Sequence, residues 1–429
     1  MTRIHQQVLA GVALVACASL GGAQGNASAA ASGMGGNYTA LARNFNAVAW
    51  NPANLGMSGN SRFSLALSPQ LGIGTGPITL ADLKEYEGVI VPAAVREAWL
   101  QKVIDNNGQG IGGDVELTPL AISIGSFGLS ATTTVRTDGA IPAAVAELLL
   151  FGNAGRTGTA QDYVADDLAL DANATSTFAF AYGRKLGLFP VGEFAVGVTG
   201  KYMIGHGMAS LRDNGSTITS NPIEVNLDAP VVLTDTASSS YMNNGSGIGL
   251  DIGASWKVGN FRAAGVVKNV FNTFAWKTDQ LYYMPITATF DQSSSSSDVD
   301  TILPIASAPA GLRAELEARI KAATPQPTLV LGGAYTGFGR LTLAADLRTR
   351  FGEGLELGPQ TQVGVGAELK LIPFVPLRGG VTALSGGMRY SGGIGFEFGV
   401  VNLQASASLL SAEGRNDTAA GFTLSFGGR

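Results

Sequence analysis

Cysteine occurs once in 429 residues, histidine twice, and charged side chains make up only 14%. A single cysteine excludes a disulfide scaffold, a cysteine-rich zinc site and an iron–sulfur cluster. Lys+Arg number 27 against 32 Asp+Glu, a formal charge of −5, so no overall basic field draws the chain to nucleic acid. No segment holds the roughly 18 consecutive apolar residues of a membrane helix. What the chain has instead is glycine, 59 residues, and a hydrophobic share of 45%. Low charge, high glycine and scattered apolar residues are unusual for a soluble enzyme. They fit a β-barrel in lipid, whose outer surface must be apolar.

Residues 1–31 read as a secretory leader, with cleavage expected between about 23 and 31. Arg3 supplies the positive start, Val8 to Ala16 the short apolar run, and Ala27, Ala29 and Ala31 the small residues of a cleavage site. Leu14-Val15-Ala16-Cys17 also fits the pattern that precedes a lipidated cysteine, and both readings of Cys17 stand.

The rest alternates with period two. In Glu193 to Ile204, Phe194, Val196, Val198 and Tyr202 share one face, and Glu193, Thr199 and Lys201 the other. Ile252, Ala254 and Trp256 alternate with Asp251, Ser255 and Lys257. Leu343, Ala345 and Leu347 alternate with Asp346, Arg348 and Arg350. Such runs have the length of a tilted membrane strand, and charge on the second face favours a barrel with a wet interior. Very short turns are expected near Gly125, Lys185–Pro190, Gly259, Gly337–Gly339, Ile372–Pro376 and Gly399. Long connections are expected near 138–172, 205–246, 270–326, 351–360, 385–391 and 411–418. The fold class is therefore all-β: a transmembrane antiparallel barrel of about 14 strands over 62–429, both ends in the periplasm of a diderm bacterium and the long loops outside. The stretch 216–234 is read as an outside hairpin. Helical spacing follows Pro92 (Val95, Trp99, Val103), spans Ile141 to Phe151, and recurs at Leu312, Leu316 and Ile320. These loop helices either cap the barrel or form an apolar access groove.

Residues 32–61 precede the first strand. Gly35-Gly36-Asn37-Tyr38-Thr39-Ala40 and Asn51-Pro52-Ala53 resemble the start of the FadL/TodX family of outer-membrane transporters for hydrophobic compounds. They are equally similar to the related PorV-like proteins and a TraF-like group. The resemblance implies a 14-stranded barrel stopped by an N-terminal plug, with Asn51, Pro52 and Ala53 as its motif. A ligand route would run against the plug, where Met34, Tyr38, Leu41, Phe45 and Trp50 are the candidate contacts. Pro52 denies Asn51 the α region, and its side chain is free to bond lumen groups.

The inner faces bring together Glu193, Lys201, Asp251, Lys257, Arg262, Lys268, Arg340, Asp346, Arg348, Arg350, Glu368 and Lys370, with Glu397 beside them. Mixed signs at close quarters predict paired networks rather than a single-sign filter. Pro119 marks either a strand kink or a bulge, because the apolar phase shifts there.

Catalytic chemistry is not expected. His206 is the one histidine outside the leader, and no phosphate loop, zinc motif or nucleophile elbow is present. Gly364-Val365-Gly366 lies within a strand and lacks a βαβ context. Asp162, Asp166, Asp167 and Asp171 crowd one loop, as a solvated acidic loop or a calcium site. No cofactor is expected. The partners expected are membrane lipid and a hydrophobic small molecule, not nucleic acid. Two functions remain: passive uptake of a hydrophobic molecule such as a fatty acid, or a non-transport barrel serving as a secretion accessory.

Overall fold

The computed structural model describes residues 28–427 except 154–155, 221, 235–242, 291–294, 299–300, 353, 356, 358 and 413–414. Residues 1–27 of the expected leader, Cys17 among them, lie outside the described residues. Fourteen long strands form one antiparallel sheet: β1 (Phe63–Gly76), β2 (Gln109–Ile124), β3 (Phe127–Ile141), β4 (Ala169–Leu186), β5 (Glu193–Arg212), β6 (Gly245–Val258), β7 (Phe261–Asn272), β8 (Thr328–Phe338), β9 (Leu341–Arg350), β10 (Thr361–Ile372), β11 (Val375–Leu384), β12 (Gly387–Phe398), β13 (Val401–Ala412) and β14 (Arg415–Phe426). Each pairs with the next, and β1 pairs with β14 from Leu65 opposite Phe426 to Thr75 opposite Asn416, which closes the barrel. Closure removes the unpaired edges that an open sheet would leave in lipid. Among the described residues no helix is long and apolar enough to cross a membrane.

Alternation decides which side chains face out. Along β5, Val196, Val198 and Tyr202 stand exposed on the outer wall, whereas Thr199 is buried inside. Along β6, Ile252 and Trp256 face out while Asp251 and Ser255 are buried. Aromatic rings gather at the short-turn end. Phe127 packs on Tyr182 with ring centres 4.9 Å apart, Phe189 on Trp256 at 5.8 Å, Phe261 on Tyr335 at 4.6 Å and Phe374 on Phe398 at 6.4 Å. A girdle of aromatic rings at one level around a barrel marks a membrane–water boundary.

Short turns join β2–β3, β6–β7, β8–β9, β10–β11 and β12–β13, and residues 187–192 join β4–β5. Two connections expected to be long are not. β11 ends at Leu384 and β12 starts at Gly387, with Gly386 at φ +91° making the tight turn, and β13 and β14 run to Ala412 and from Arg415. Arg389 and Asp417 face the lumen there, and their polarity made strand residues look like loop. The stretch 216–234 does form an outside hairpin, Thr217–Ser220 with Ile223–Asp228. Segments 163–164, 287–290 and 295–298 extend it into a five-stranded sheet.

The helices are α1 (Ala29–Gly33) and α2 (Ala47–Trp50) in the N-terminal segment, then α3 (Leu80–Glu85), α4 (Ala93–Asp105), α5 (Ala143–Phe151) and α6 (Ala310–Ala322) in the outside loops. α4 and α5 pack on each other through Trp99, Leu100, Val103 and Ala146. α6 does not join them. Its Leu316 and Ile320 pack with Met203, Phe274, Trp276, Leu281 and Leu355 into a separate lid. Trp276 Nε1 donates to the carbonyl of Ala323 at 2.8 Å and fixes the end of α6 over the barrel mouth. At Pro119 the register of β2 slips against both β1 and β3, so the phase shift is a bulge.

Candidate functional site: the plug and the chamber above it

The N-terminal segment lies inside the barrel from Ser28, the first described residue. The Ala29 amide donates to Thr423 Oγ1 of β14 at 2.9 Å, and the Ser28 hydroxyl caps α1. Asn51, Pro52 and Ala53 sit against β4, β5 and β6. Asn51 is fully buried; its Nδ2 donates to the carbonyl of Ala254 and to Ser255 Oγ, both at 3.0 Å, while its Oδ1 accepts the Ala53 amide at 3.0 Å. The Ser255 hydroxyl in turn donates to Asn54 Oδ1. This contact needs bare wall. Gly183, Gly197 and Gly253 stand opposite one another across the three strands. A Cβ on Gly197 would lie 2.3 Å from the Pro52 carbonyl carbon, and one on Gly253 would lie 2.1 Å from Asn51 Oδ1. The glycines let the backbone of the plug rest directly on the sheet.

The far side is held by Asp346 of β9. One carboxylate oxygen, Oδ2, accepts the amides of Tyr38 and Thr39, each at 2.9 Å, and the Thr39 hydroxyl at 2.6 Å. Thr382 donates to the carbonyl of Gly35 at 2.7 Å. Between these anchors Tyr38 meets Trp50 edge to face at 6.0 Å, and Lys268 lies over the Trp50 ring at 5.9 Å.

Of the twelve expected lumen residues, Asp346 holds the plug and ten others separate into three groups. Lys201 pairs with Asp251 at 2.6 Å, beside Lys268, Arg348 and Arg350, above the plug. Glu368 pairs with Arg378 at 2.8 Å and Lys370 with Glu397 at 2.9 Å, a second network on β10–β12. At the turn end Glu193 accepts the Ser58 amide at 3.1 Å and pairs with Lys185 at 3.5 Å, while Lys257 and Arg262 border a hollow of about 10 Å³ beside Arg43. Arg340 is not in the lumen: it lies between β8 and β9 and donates to the carbonyl of Leu371 at 3.0 Å. Sequence reasoning missed Arg378, Arg136 and Glu116. Arg378 was legible, since Leu377 and Arg378 alternate out and in; the bulge at Pro119 hid the parity of Glu116.

Between plug and lid lies a cavity of about 140 Å³. Val48 and Ala49 of α2 form its floor, Met203, Pro325, Leu355, Leu357 and Pro359 its roof, and five threonines with Arg136, Lys201, Asp251, Lys268, Arg348 and Arg350 its walls. The roof loops are tied down: Asn173 Nδ2 donates to the carbonyl of Leu355 at 3.1 Å. None of Met34, Tyr38, Leu41, Phe45 and Trp50 lines this chamber. Met34 is buried against Ala264, Ala334 and Ala344, with Tyr38 and Leu41 packed beside it, and Trp50 is buried with Ala31 and Ala42. Phe45 borders a hollow of about 10 Å³ between the plug and the β2 bulge, lined also by Thr118, Ala121 and Ala49. Ala49 thus borders both spaces. The acidic loop does not converge: Asp162 accepts from the Ser220 amide at 2.6 Å, and Asp171 pairs with Arg212 at 2.5 Å. No metal-holding cluster occurs among the described residues.

Solved structures share this architecture at low identity. A Pseudomonas aeruginosa FadL homologue is 11% identical with a TM-score of 0.51, the match covering 96% of this chain and 100% of that one. A deltaS2S3 mutant of the TodX monoaromatic hydrocarbon channel is 11% identical with a TM-score of 0.50, covering 93% and 98%. The P. putida toluene transporter TodX is 12% identical with a TM-score of 0.49, covering 94% and 99%. The chain has the FadL/TodX barrel fold. No curated protein matches it. The model of one protein family matches residues 56–403, most of the barrel, and the chain belongs to that family, the family of unknown function DUF5723.

Proposed function

We propose that the protein sits in the outer membrane of a diderm bacterium and admits a small, largely apolar molecule, a fatty acid or similar, through its plugged lumen. The observation that carries this reading is the chamber. A cavity of about 140 Å³ lies under the outside loops, and one short helix of the plug separates it from a second hollow at the β2 bulge. A cavity of ~150 Å³ has the room that one benzene ring fills. The two spaces meet at Ala49 of α2. The FadL homologue and the TodX channel support the reading by their shared fold.

The test is uptake of radiolabelled toluene and hexanoate by cells that do or do not carry the chain in their outer membrane. The chain should speed uptake of at least one probe, and Ala49→Trp, which fills the floor and the partition together, should remove the gain. No acceleration of either probe by the unsubstituted chain would refute uptake. A second reading, a barrel that docks other proteins, rests on the apolar outside stretch at Leu80, Leu83, Val89 and Ile90, where Ile90 is 92% exposed. Under that reading, replacing these four with serine would cost the partner while uptake stayed absent throughout.

A further inference from the structure

The chamber has the volume for an apolar molecule but not the walls for one. Five of its lining side chains are cations, Arg136, Lys201, Lys268, Arg348 and Arg350, and Asp251 is the one acid among them. Asp251 is already engaged by Lys201 at 2.6 Å and by the Asn269 amide at 2.8 Å. More acids stand behind this layer. Glu116 and Asp346 act on Lys268, Asp114 is opposite Arg136 in the sheet, and Arg389 is next to Asp114. Their arrangement is unequal. Asp346 Oδ2 is taken by three hydrogen bonds from the plug. Asp417 also faces Arg389, so with the second layer included six cations stand against five acids, and five of the cations but only Asp251 of the acids border the space. Four of the five wall threonines are already engaged, Thr134 with Thr175, Thr132 with Thr118 and Thr199 with the carbonyl of Val48, and the apolar surface is confined to the roof and to Val48, Ala49 and Ala179. In a low-dielectric enclosure such a field favours an anion strongly.

We infer that the molecule held in this chamber is a compact organic acid, its carboxylate or sulfonate against the cationic wall and its apolar part under Leu355, Leu357 and Met203. This rests on the uptake reading and names its substrate class. The volume limits the molecule to about the size of one aromatic ring bearing one acid group, because ~150 Å³ is the room that benzene fills. A long acyl chain does not fit within the closed chamber. The acid group replaces its hydration shell by charge-assisted contacts with the arginine and lysine side chains of the wall. A neutral ring of the same size would displace water from a charged wall and bring no charge of its own to it.

The experiment is calorimetric titration of the purified full chain with benzoate, benzamide and toluene, alongside cellular uptake of the same three. Benzoate should bind, and both neutral rings should bind at least tenfold more weakly. Arg348→Gln and Lys268→Met should each lower benzoate affinity by about ten- to a hundredfold, the range for one lost hydrogen bond to a charge. Neither change should alter the weak binding of toluene. Arg348→Lys should restore part of the loss. Arg340→Gln removes a cation outside the lumen and should change nothing. Heat-modifiable migration on gels shows that each variant is a folded barrel, and Arg348→Lys keeps the test open if Arg348→Gln does not fold. If toluene binds as well as benzoate, or both chamber variants keep full benzoate affinity, the acid inference is overturned while uptake stands. If none of the three binds and none is taken up faster, both readings fall.

Discussion

Asp346 offers the most direct way to loosen the plug without touching the motif at Asn51. Its Oδ2 accepts the amides of Tyr38 and Thr39 at 2.9 Å and the Thr39 hydroxyl at 2.6 Å. In Asp346→Ala all three donors lose a charged acceptor inside a buried site. Each such bond contributes about 1.5–3 kcal/mol, and three that share one oxygen do not add fully. A loss of roughly 3–5 kcal/mol in plug docking follows, or two to three and a half decades in the equilibrium between seated and lifted plug. Asp346→Asn separates charge from shape. An amide oxygen placed at Oδ2 keeps the three acceptor contacts, and its NH₂ falls at the Oδ1 position, where no hydrogen bond is made. Charge-assisted bonds are about twice as strong as neutral ones, so this variant should lose about half as much. The assay is hydrogen exchange of the amides between residues 37 and 55, with the sheet amides as internal reference. Protection should fall in the order aspartate, asparagine, alanine while the sheet is unchanged. Equal losses in both variants would show that the charge contributes nothing, and unchanged protection in Asp346→Ala would show that the plug is held elsewhere.

Gly197→Ala should also lift the plug, because its Cβ would meet Pro52 and Ala53 backbone at 2.3–2.4 Å, a cost of about 1–3 kcal/mol. Gly200→Ala on the same strand has open space and is the matched control in thermal melts. Trp276→Ala removes a buried ring and its bond to the Ala323 carbonyl, so the lid should lose about 3–5 kcal/mol. Faster exchange across 310–322 would report it, together with quicker labelling of a cysteine placed at Ala49 by an impermeant thiol reagent. In the α3 cap, burial pushes Asp82 up, but hydrogen bonds from Thr79 and the charge of Lys102 outweigh it and hold its carboxyl below 3.8. A depressed folded value gives stability that is full above the unfolded range and lost as pH falls through the folded one. Amides of 79–86 should therefore stay protected at pH 5 and lose protection only below about pH 4.

The barrel was legible because lipid and lumen impose opposite demands on successive residues, and that demand repeats along Glu193–Ile204 and Leu341–Arg350 without outside help. Asn51-Pro52-Ala53 was legible as a motif, but not its seat. Gly183, Gly197 and Gly253 become one patch only when three strands align, and register is not written in any one strand. The chamber was illegible for the same reason. Its cations come from β3, β5, β7 and β9, and whether Lys268 meets Asp251 or Trp50 depends on sheet stagger. Arg340 was misplaced because alternation was carried one residue past the strand, which starts at Leu341. Met34, Tyr38, Leu41 and Trp50 read as ligand contacts because burial within a plug and exposure to a cavity look alike in sequence, and only Phe45 of the five borders a hollow.

The bond from the Ala29 amide to Thr423 links positions 394 residues apart, almost the whole chain. The stopper emerges before every strand in synthesis, yet this contact exists only once the final strand is in place. Contacts of such long sequence separation form slowly. During biogenesis the bore must therefore close around its own leading end, and any barrel that finishes first would be, for a time, a leaky intermediate awaiting its cork.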